Sequence, residues 1–389
     1  MSRVTATRVA SQVFDGGMCR HCETDSEHRS DGMMRRVTLL CRLDTIGVSY
    51  TMLPLLRGPW RKMFKICTDI DECLKPSGSD SLLMIGSDPL MAIGPDKLDM
   101  RVMQQLRDRF AQVVYFDDGD GCGAVRFDIM PFVDHYLRRQ LYRDRSHYEV
   151  DYYDRELVTE YYRANNGVEA AVPFYRPPAT SQSDLDKLHV AWNLGVGRFP
   201  PRRRVGQALT LLARLGAPRL ASRPLSALPS TVHHEHRSGI HARFGPIGHV
   251  TVQFQRDLVV SKLAGRSDVM LGHVKQRQYW SELQRSEIVV SPFGWGEICF
   301  RDFEAILGGA LLVKPDMSHV DTWPDVYRPF ETFVPFRWDA SDLNEVLDEW
   351  RGNAASAAIK ERASELWRQS HHDRFQRAEE VLTNVGLAP

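Results

Sequence analysis

Residues 286–316 have the sequence SEIVVSPFGWGEICFRDFEAILGGALLVKPD, and this stretch decides the fold. Ile288–Val290 is a short β-branched, apolar run, which predicts a buried strand. Gly294–Gly296 follows as a loop in which the backbone can turn sharply and approach a ligand. Apolar residues then recur at helical spacing as far as Gly308-Gly309, and Ala310–Val313 forms the next apolar run. The stretch therefore predicts strand, glycine loop, helix and strand, which is one βαβ crossover of a parallel sheet.

The glycine loop of this unit favours an anionic ligand. Free backbone amides and the positive end of the helix dipole face the space above Gly296. Arg301 lies one turn inside the helix, and Glu297 and Glu304 are seven residues apart, a spacing that puts both on one helix face. We expect Arg301 to bind a phosphate and the two carboxylates to hold hydroxyl groups. The alternative is that Glu297 only complements the dipole, that Arg301 is solvated and that the glycines only turn the chain.

PFG at 292–294 and FEAILGGALLVKPD at 303–316 resemble the C-terminal half of GT-B glycosyltransferases of the group 1 and exostosin-like kind. The resemblance is specific over about residues 284–338. It implies two Rossmann-like parallel-sheet domains that face a cleft, with C-terminal helices that cross back to the first domain. It also implies that Glu304 contacts the ribose of a nucleotide-sugar donor. Retaining members carry an acidic residue just before P-F-G, where this chain has Ser291.

The composition is that of an ordinary globular protein long enough for two domains. The 389 residues are 43% hydrophobic and 26% charged, and 50 basic residues balance 50 acidic ones. A chain without net charge has no global field to attract nucleic acid, so we expect no nucleic-acid partner. The seven cysteines are scattered, which favours a reducing, cytoplasmic compartment over a disulfide framework. The sequence shows neither a signal peptide nor an apolar run of membrane-spanning length.

The alternation of strand and helix patterns predicts an α/β protein with four segments. Residues 1–34 are expected to be a loose tail, 35–180 an acceptor-side Rossmann-like domain, 186–352 the nucleotide-sugar-binding domain, and 353–389 a helical segment. The boundary is set by the proline-rich and polar linker that begins at residue 173. Leu188–Trp192 is predicted to open the second sheet, and Val250–Phe254 to be a strand within it.

The loop FDDGDGCG at 116–123 follows a predicted strand and gathers Asp117, Asp118 and Asp120. Repulsion among these carboxylates would raise the pKa of one of them and suit it to accept a proton from a sugar hydroxyl. Asp118 and Asp120 are therefore candidate catalytic residues. A calcium loop is the weaker alternative, because Cys122 stands where an oxygen ligand is needed. Asp-Gly pairs that only make turns are the structural alternative.

His135 is a further candidate base, although a single histidine beside aromatic residues is more often structural. The basic run from Arg138 to Arg145 either meets an anionic acceptor or is one solvated helix face, and the second is the commoner outcome.

Arg198 ends the glycine-containing loop NLGVGR and is a candidate for the donor phosphates, with a turn-stabilising role as the alternative. Residues 201–215 combine three arginines with an apolar helical face, so peripheral contact with an anionic membrane is an alternative to a core-facing helix, which we favour. Histidines 233, 234, 236, 241 and 249 show no spacing that specifies a zinc site. His241 or Arg243 is instead expected to point toward the donor.

Together with these residues, the resemblance implies a cytoplasmic, metal-independent glycosyltransferase of the hexosyltransferase type that needs no cofactor. It would move a sugar from a nucleotide-sugar donor to a glycan or a lipid-linked acceptor in bacterial surface polysaccharide synthesis, with peripheral contact at the inner membrane face as an option. Gly294, Gly296, Glu297, Arg301, Glu304 and Arg198 are the expected donor-binding residues. The alternatives are a nucleotide-sugar epimerase on the same fold and a protein that binds a sugar nucleotide without turnover. A Rossmann dehydrogenase is disfavoured because no G-x-G-x-x-G follows a strand with an acidic residue about twenty positions later.

Overall fold

The computed structural model describes residues 36–41, 50–76, 78–86, 99–170, 177–197, 199 and 237–388. Residues 35–389 belong to one compact unit. Several predictions fall outside the described residues, namely the tail at 1–34, Arg198, the basic helix at 201–215 and the histidines at 233, 234 and 236.

The described residues contain thirteen strands and ten α-helices, which we number in chain order. The strands are β1 Val37–Cys41, β2 Phe64–Cys67, β3 Ser81–Ile85, β4 Gln112–Asp117, β5 His135–Arg138, β6 Gln140–Tyr142, β7 Leu188–Val190, β8 Ile240–Ala242, β9 Val269–Leu271, β10 Ile288–Val290, β11 Leu311–Pro315, β12 Val320–Thr322 and β13 Val334–Phe336. The helices are α1 Leu53–Arg57, α2 Ile70–Leu74, α3 Met100–Arg109, α4 Leu157–Asn166, α5 Gln182–Asp186, α6 Val250–Leu263, α7 Gln276–Arg285, α8 Phe300–Gly308, α9 Leu343–Trp350 and α10 Ser356–Asn384. Short 3-10 helices cover Pro59–Met63, Phe127–Phe132, Arg145–Glu149, Tyr153–Arg155 and Leu194–Val196.

The strands form two parallel sheets with the same topology. The first sheet has the order β2-β1-β3-β4-β5-β7, and the second has the order β13-β11-β10-β8-β9. We renumber the strands of each sheet in chain order and read the second sheet from β9. Both orders then begin 2-1-3-4-5, the flavodoxin-like order of doubly wound sheets. A short antiparallel ribbon of β6 and β12 joins the two halves. The predicted fold class, two Rossmann-like parallel-sheet units, is confirmed.

Side chains of the first sheet are buried on both faces, as a parallel sheet requires. In β1, Val37, Leu39 and Cys41 point into one hydrophobic cluster while Leu40 points into another. The first cluster is completed by the end of α10, because Val381 and Leu382 pack against it. The prediction that a C-terminal helix crosses back to the first half is therefore confirmed.

The βαβ unit is present as predicted, with β10 at Ile288–Val290, α8 after the glycine loop, and β11 paired in parallel with β10. These boundaries depend on local sequence. Gly309 adopts the left-handed conformation, with φ of 74°, and ends α8 in the way expected of a C-terminal glycine.

Two strand predictions are wrong. Leu188–Val190 does not open the second sheet, since β7 pairs in parallel with β5 at the edge of the first. The second sheet begins only at β8. Val250–Phe254 is not a strand but the first part of α6. Its buried and exposed residues do not follow the period of two that a strand would show.

The first two arginines of the predicted basic run, Arg138 and Arg139, are not on a solvated helix face, whereas Arg143 is exposed. Arg138 closes β5 and is fully buried, and Arg139 is 4% exposed. Arg138 pairs with Asp117 at the end of β4 and Arg139 pairs with Asp120 in the loop that follows, which provides the partners that buried charges need.

The loops that follow β4 and β10 are in direct backbone contact. A Cβ atom placed on Gly296 would lie 1.8 Å from the Asp120 carbonyl oxygen and 2.7 Å from the Gly121 nitrogen. Only glycine fits there. At Gly294 the nearest atom to an added Cβ is Cys299 Sγ, at 3.3 Å.

We expect Gly296→Ala to destabilise the protein by roughly 1–3 kcal/mol, the usual cost of overpacking a filled site, because the obstructing atoms are backbone. Gly294→Ala is the matched control and should cost less, since a side-chain sulfur can move. Urea unfolding of both variants measures the difference. Equal stability of the two variants would show that the loops do not touch as described.

Candidate functional site

Each sheet has a topological switch point, where ligands of open α/β sheets bind. In the second sheet this point lies between β8 and β10, which are neighbours although β9 separates them in the chain. The segment after β8 leads to the N-terminus of α6, and the loop after β10 leads to that of α8. Arg256 of α6 ties the two segments together, since its guanidinium donates to the carbonyl oxygens of Phe293 and Gly245.

The start of α8 is fixed by a buried charge network that the sequence did not reveal. Asp302 is fully buried and lies 3.2 Å from the Lys314 ammonium, which is also fully buried. The Asp302 carboxylate also accepts hydrogen bonds from Ser291 Oγ at 2.6 Å, Tyr327 OH at 2.8 Å and the Cys299 amide at 2.9 Å. The network holds β10, the end of the glycine loop and β11 in one arrangement.

Glu297 does not lie on the helix, so the prediction that it shares a helix face with Glu304 is wrong. The helix begins at Phe300, after a cap at Cys299. Glu297 is 3% exposed and accepts hydrogen bonds from the Cys122 amide at 3.1 Å and from Gln140 Nε2 at 2.9 Å.

His319 Nε2 lies 3.5 Å from Glu297 Oε1. Burial by itself would raise the pKa of Glu297, but His319 and the backbone amides hold this pKa below its ordinary value. Glu297 is therefore an ionised carboxylate between the two halves.

Arg301 and Glu304 lie on α8 beside the second switch point. The Arg301 guanidinium lies 5.4 Å from the centre of the Phe244 ring, just beyond β8. Its Nη1 is 3.5 Å from Ser291 Oγ, and its Nε is buried without a hydrogen-bond partner among the described residues. Glu304 Oε2 accepts a hydrogen bond of 2.6 Å from Tyr279 OH, and burial raises the pKa of Glu304.

His241 of β8 packs beside Tyr279, the hydrogen-bond partner of Glu304, with the two ring centres 4.8 Å apart. Burial, together with the charge of Arg301, lowers the pKa of His241 to about 4. The ring is therefore neutral at neutral pH. Neither ring nitrogen has a hydrogen-bond partner within the described part of the chain. Arg301 and His241 thus have buried nitrogen atoms that form no hydrogen bond with the described residues.

A cavity of about 260 Å³ lies between the two halves, somewhat smaller than the roughly 300 Å³ at which typical small-molecule pockets begin. Some of the residues within 119–124 and 154–162 line it from the first half, and residues within 249–255 together with 293–297 line it from the second. Gly294, Gly296 and Glu297 are among these residues, whereas Arg301 and Glu304 are not. Trp295, 63% exposed, also lines the cavity. The lining combines apolar side chains with several carboxylates.

The aspartate loop is held by arginines. Asp117 accepts a hydrogen bond from Tyr136 OH at 2.6 Å and lies 2.6 Å from Arg138 Nη1. Arg139 lies 3.4 Å from Asp118 and 3.1 Å from Asp120. Asp120 lines the cavity, whereas Asp118 lies beside Gly86 at the end of β3, on the first sheet's switch point.

His135 is not brought to the cavity. It begins β5, and Arg138 at the end of that strand is level with Asp117, so His135 lies about 10 Å back along the sheet at 3.3 Å per residue. Its Nδ1 is 3.1 Å from His189 Nε2 on β7. Burial lowers the pKa of both rings. This position fits the structural role that was the alternative for His135.

Sequence reasoning missed the turn before α4, which contributes Asp154, Arg155 and Glu156 to the cavity. Asp154 Oδ2 lies 2.9 Å from His249 Nε2, across the cavity on the segment before α6. No motif marks this turn in the sequence. The sole sequence signal is a pair of tyrosines flanked by charged residues, DYYDRE, at 151–156.

In the described parts of the chain, no group of three or more histidine, cysteine, aspartate or glutamate side chains is arranged to hold a metal ion. None of the helices that the structure describes has both the length and the apolar character of a membrane span.

The sequence matches no protein-family model, and no curated protein matches it. Solved structures with a similar fold include Anabaena HepE in complex with UDP and glucose, 9% identical, with 90% of this chain and 99% of that chain covered and a TM-score of 0.44. A glycosyltransferase from Rickettsia africae is 9% identical over 90% of this chain and 98% of its own, with a TM-score of 0.43. An alpha-glucosyltransferase in complex with UDP-glucose and DNA containing an abasic site is 10% identical over 91% and 99%, with a TM-score of 0.40. These similarities are distant and assign no substrate to this chain.

Proposed function

We propose that this protein is a glycosyltransferase that binds a nucleotide-sugar donor at the switch point of the second sheet and passes the sugar to a hydroxyl group in the cavity. The observation that carries the proposal is Arg301, whose buried Nε has no hydrogen-bond partner among the described residues, beside the switch point between β8 and β10. A guanidinium with one unused donor, beside the N-terminus of α8, suits a diphosphate.

The donor-binding residues follow from this placement. Arg301 would neutralise the diphosphate as it leaves, and Glu304 would accept hydrogen bonds from the ribose hydroxyls. Gly294 and Gly296 let the backbone lie close to the donor, while Glu297 holds the loop to the first half. Arg198 remains a candidate for the donor phosphates on its sequence alone.

The cavity would hold the acceptor. Its mixed lining suits a sugar, whose C–H face can pack on Trp295 while its hydroxyl groups face carboxylates. We propose a glycan or lipid-linked acceptor, as in bacterial surface polysaccharide synthesis, and a hexose as the transferred group. Asp118 and Asp120, both engaged by Arg139, would shape the acceptor side of the site. We further propose a cytoplasmic protein, with contact at the membrane surface if the acceptor is lipid-linked, and no nucleic-acid partner.

The function is tested by thermal unfolding in the presence of UDP-, GDP-, CMP- and dTDP-sugars. A donor at one hundred times its dissociation constant should stabilise the fold by about 2.7 kcal/mol. Product analysis with the bound donor then separates transfer from the alternatives. An altered free sugar with released nucleotide indicates an epimerase, and an unchanged donor indicates binding without turnover.

Arg301→Ala should lower turnover by about 10²–10³-fold, as removal of other preorganised charge-stabilising donors does. Glu304→Gln should weaken donor binding, because one ribose acceptor becomes an amide, while the oxygen that accepts from Tyr279 can be kept. Calorimetric titration and steady-state kinetics measure both effects. Arg277→Ala, an exposed arginine of α7, is the matched control. Unchanged donor affinity and turnover in the first two variants would contradict the donor assignment.

Transfer should persist in excess EDTA, because Arg301 and the helix dipoles would stabilise the leaving group without a metal ion. The rate before and after chelation is the measurement. Loss of activity that manganese or magnesium restores would instead make the carboxylates at 117–120 candidate metal ligands.

A further inference from the structure

The turn that leads into α4 has an unusual backbone. Asp154 and Arg155 are consecutive residues with φ of 55° and 58°, in the left-handed region that side chains other than glycine seldom adopt. Such strain persists only where the surroundings hold it, and it concentrates at functional sites. Both side chains are buried, and both line the cavity together with the next residue, Glu156.

Glu156 lies where the two glycine loops meet. A Cβ on Gly121 would be only 2.0 Å from Glu156 Oε1, so this carboxylate packs directly on the glycine. Gly121 is also one of the two residues whose backbone touches Gly296. The carboxylate is thus next to the contact between the loop of the acceptor side and the loop of the donor side.

The two carboxylate oxygens of Glu156 differ. Oε2 accepts a hydrogen bond from the Gly123 amide at 2.9 Å and from Tyr142 OH at 3.2 Å. Burial and the nearby carboxylates put the pKa of Tyr142 well above its usual range, so its hydroxyl keeps the proton that it donates. Oε1 has no hydrogen-bond donor among the described residues. Glu156 is therefore anchored by one oxygen and has the other available.

The surroundings of Glu156 favour its protonated form. Burial, followed by repulsion from Glu297, raises the pKa of Glu156 to about 8, against the opposing effects of the Gly123 amide, Arg138 and Tyr142. Glu297, by contrast, is held ionised through His319. Two carboxylates whose environments separate their pKa values in this way are the usual arrangement of an acid–base pair.

The other acidic groups at the cavity are already engaged. Asp120 pairs with Arg139, Asp154 with His249 and Glu297 with His319. Glu156 forms no ion pair with any described residue. It is the carboxylate of the cavity best placed to exchange a proton with a ligand.

We propose that Glu156 is the general base of the transfer reaction, an inference that rests on the proposed glycosyltransferase function. The acceptor hydroxyl gives its proton to Glu156 Oε1 as its oxygen forms the bond to the anomeric carbon of the donor sugar. The bond from that carbon to the phosphate oxygen breaks, and its electron pair leaves with the nucleoside diphosphate. No further reactant is needed.

Glu156→Gln should lower kcat by about 10²–10⁴-fold, the usual contribution of a general base, and leave the donor dissociation constant unchanged. In the unsubstituted protein, turnover should rise with pH up to about 8, since the base acts only when deprotonated. Glu156→Asp keeps the carboxylate on a shorter side chain. This variant should retain part of the activity, and its turnover should still rise with pH. Glu149→Gln removes an exposed carboxylate at the end of the 3-10 helix Arg145–Glu149 and is the matched control.

Stability gives a readout independent of activity. A carboxyl whose folded-state pKa is raised stabilises the fold when protonated, and this contribution is lost as the pH rises from the unfolded value toward about 8. The melting temperature of Glu156→Gln relative to the unsubstituted protein should therefore increase over that window. A difference that does not vary with pH would overturn the assignment.

The kinetic outcomes separate the two proposals. If the unsubstituted protein neither binds nor turns over a nucleotide sugar, both fail. If it transfers sugar and Glu156→Gln does so at the same rate with the same pH profile, only the role of Glu156 fails. If His249→Gln abolishes the rising limb while Glu156→Gln keeps it, His249 is the base instead.

Discussion

Besides the β6–β12 ribbon, one buried carboxylate holds the loops of the two halves of this protein together. Glu297 belongs to the loop after β10, yet two of its hydrogen-bond donors, the Cys122 amide and Gln140, come from the first half. An ionised group cannot stay buried without such partners, so separating the halves would leave both the charge and its donors uncompensated. The glycine at 296 makes this arrangement possible, because it lets the two backbones touch.

From this constraint follows the position of the cavity. Both sheets direct the carboxyl ends of their central strands toward it, and the loops there carry the glycines and the charged groups. Elsewhere the charges are neutralised in place, as by the Lys314–Asp302 pair beneath α8 and the Arg138–Asp117 pair beneath the aspartate loop. The fold thus uses most of its buried charges to keep loops rigid and leaves few available for a ligand, which is the preorganisation that electrostatic catalysis requires.

The sequence alone is enough to predict the features that depend on residues close together in the chain. The βαβ unit around Gly294–Gly296 and the parallel α/β class were predictable from period and from glycine placement, whereas the returning C-terminal helix was expected only from the resemblance to GT-B glycosyltransferases. Strand pairing was not, because the pattern of Leu188–Val190 fits either sheet, and only the topology assigns it to the first. The burial of Arg138 could not be foreseen either, since a run of charges suggests solvent until its partners are located. Glu156 belongs to no motif, and its importance arises entirely from what the fold brings near it.

The return of α10 to the first sheet bears on how the chain is made. Residues 378–387 complete the hydrophobic cluster on one face of that sheet, and Arg377 donates to the carbonyl oxygens of Val190 and Ala191 at its edge. These residues leave the ribosome after the whole second sheet has been synthesised, whereas domains that fold as independent units do so in order of synthesis. The part of this cluster that α10 supplies is therefore completed only once residue 387 has been synthesised, whereas Leu55, Trp60 and their neighbours cover the rest of the face from within the first half.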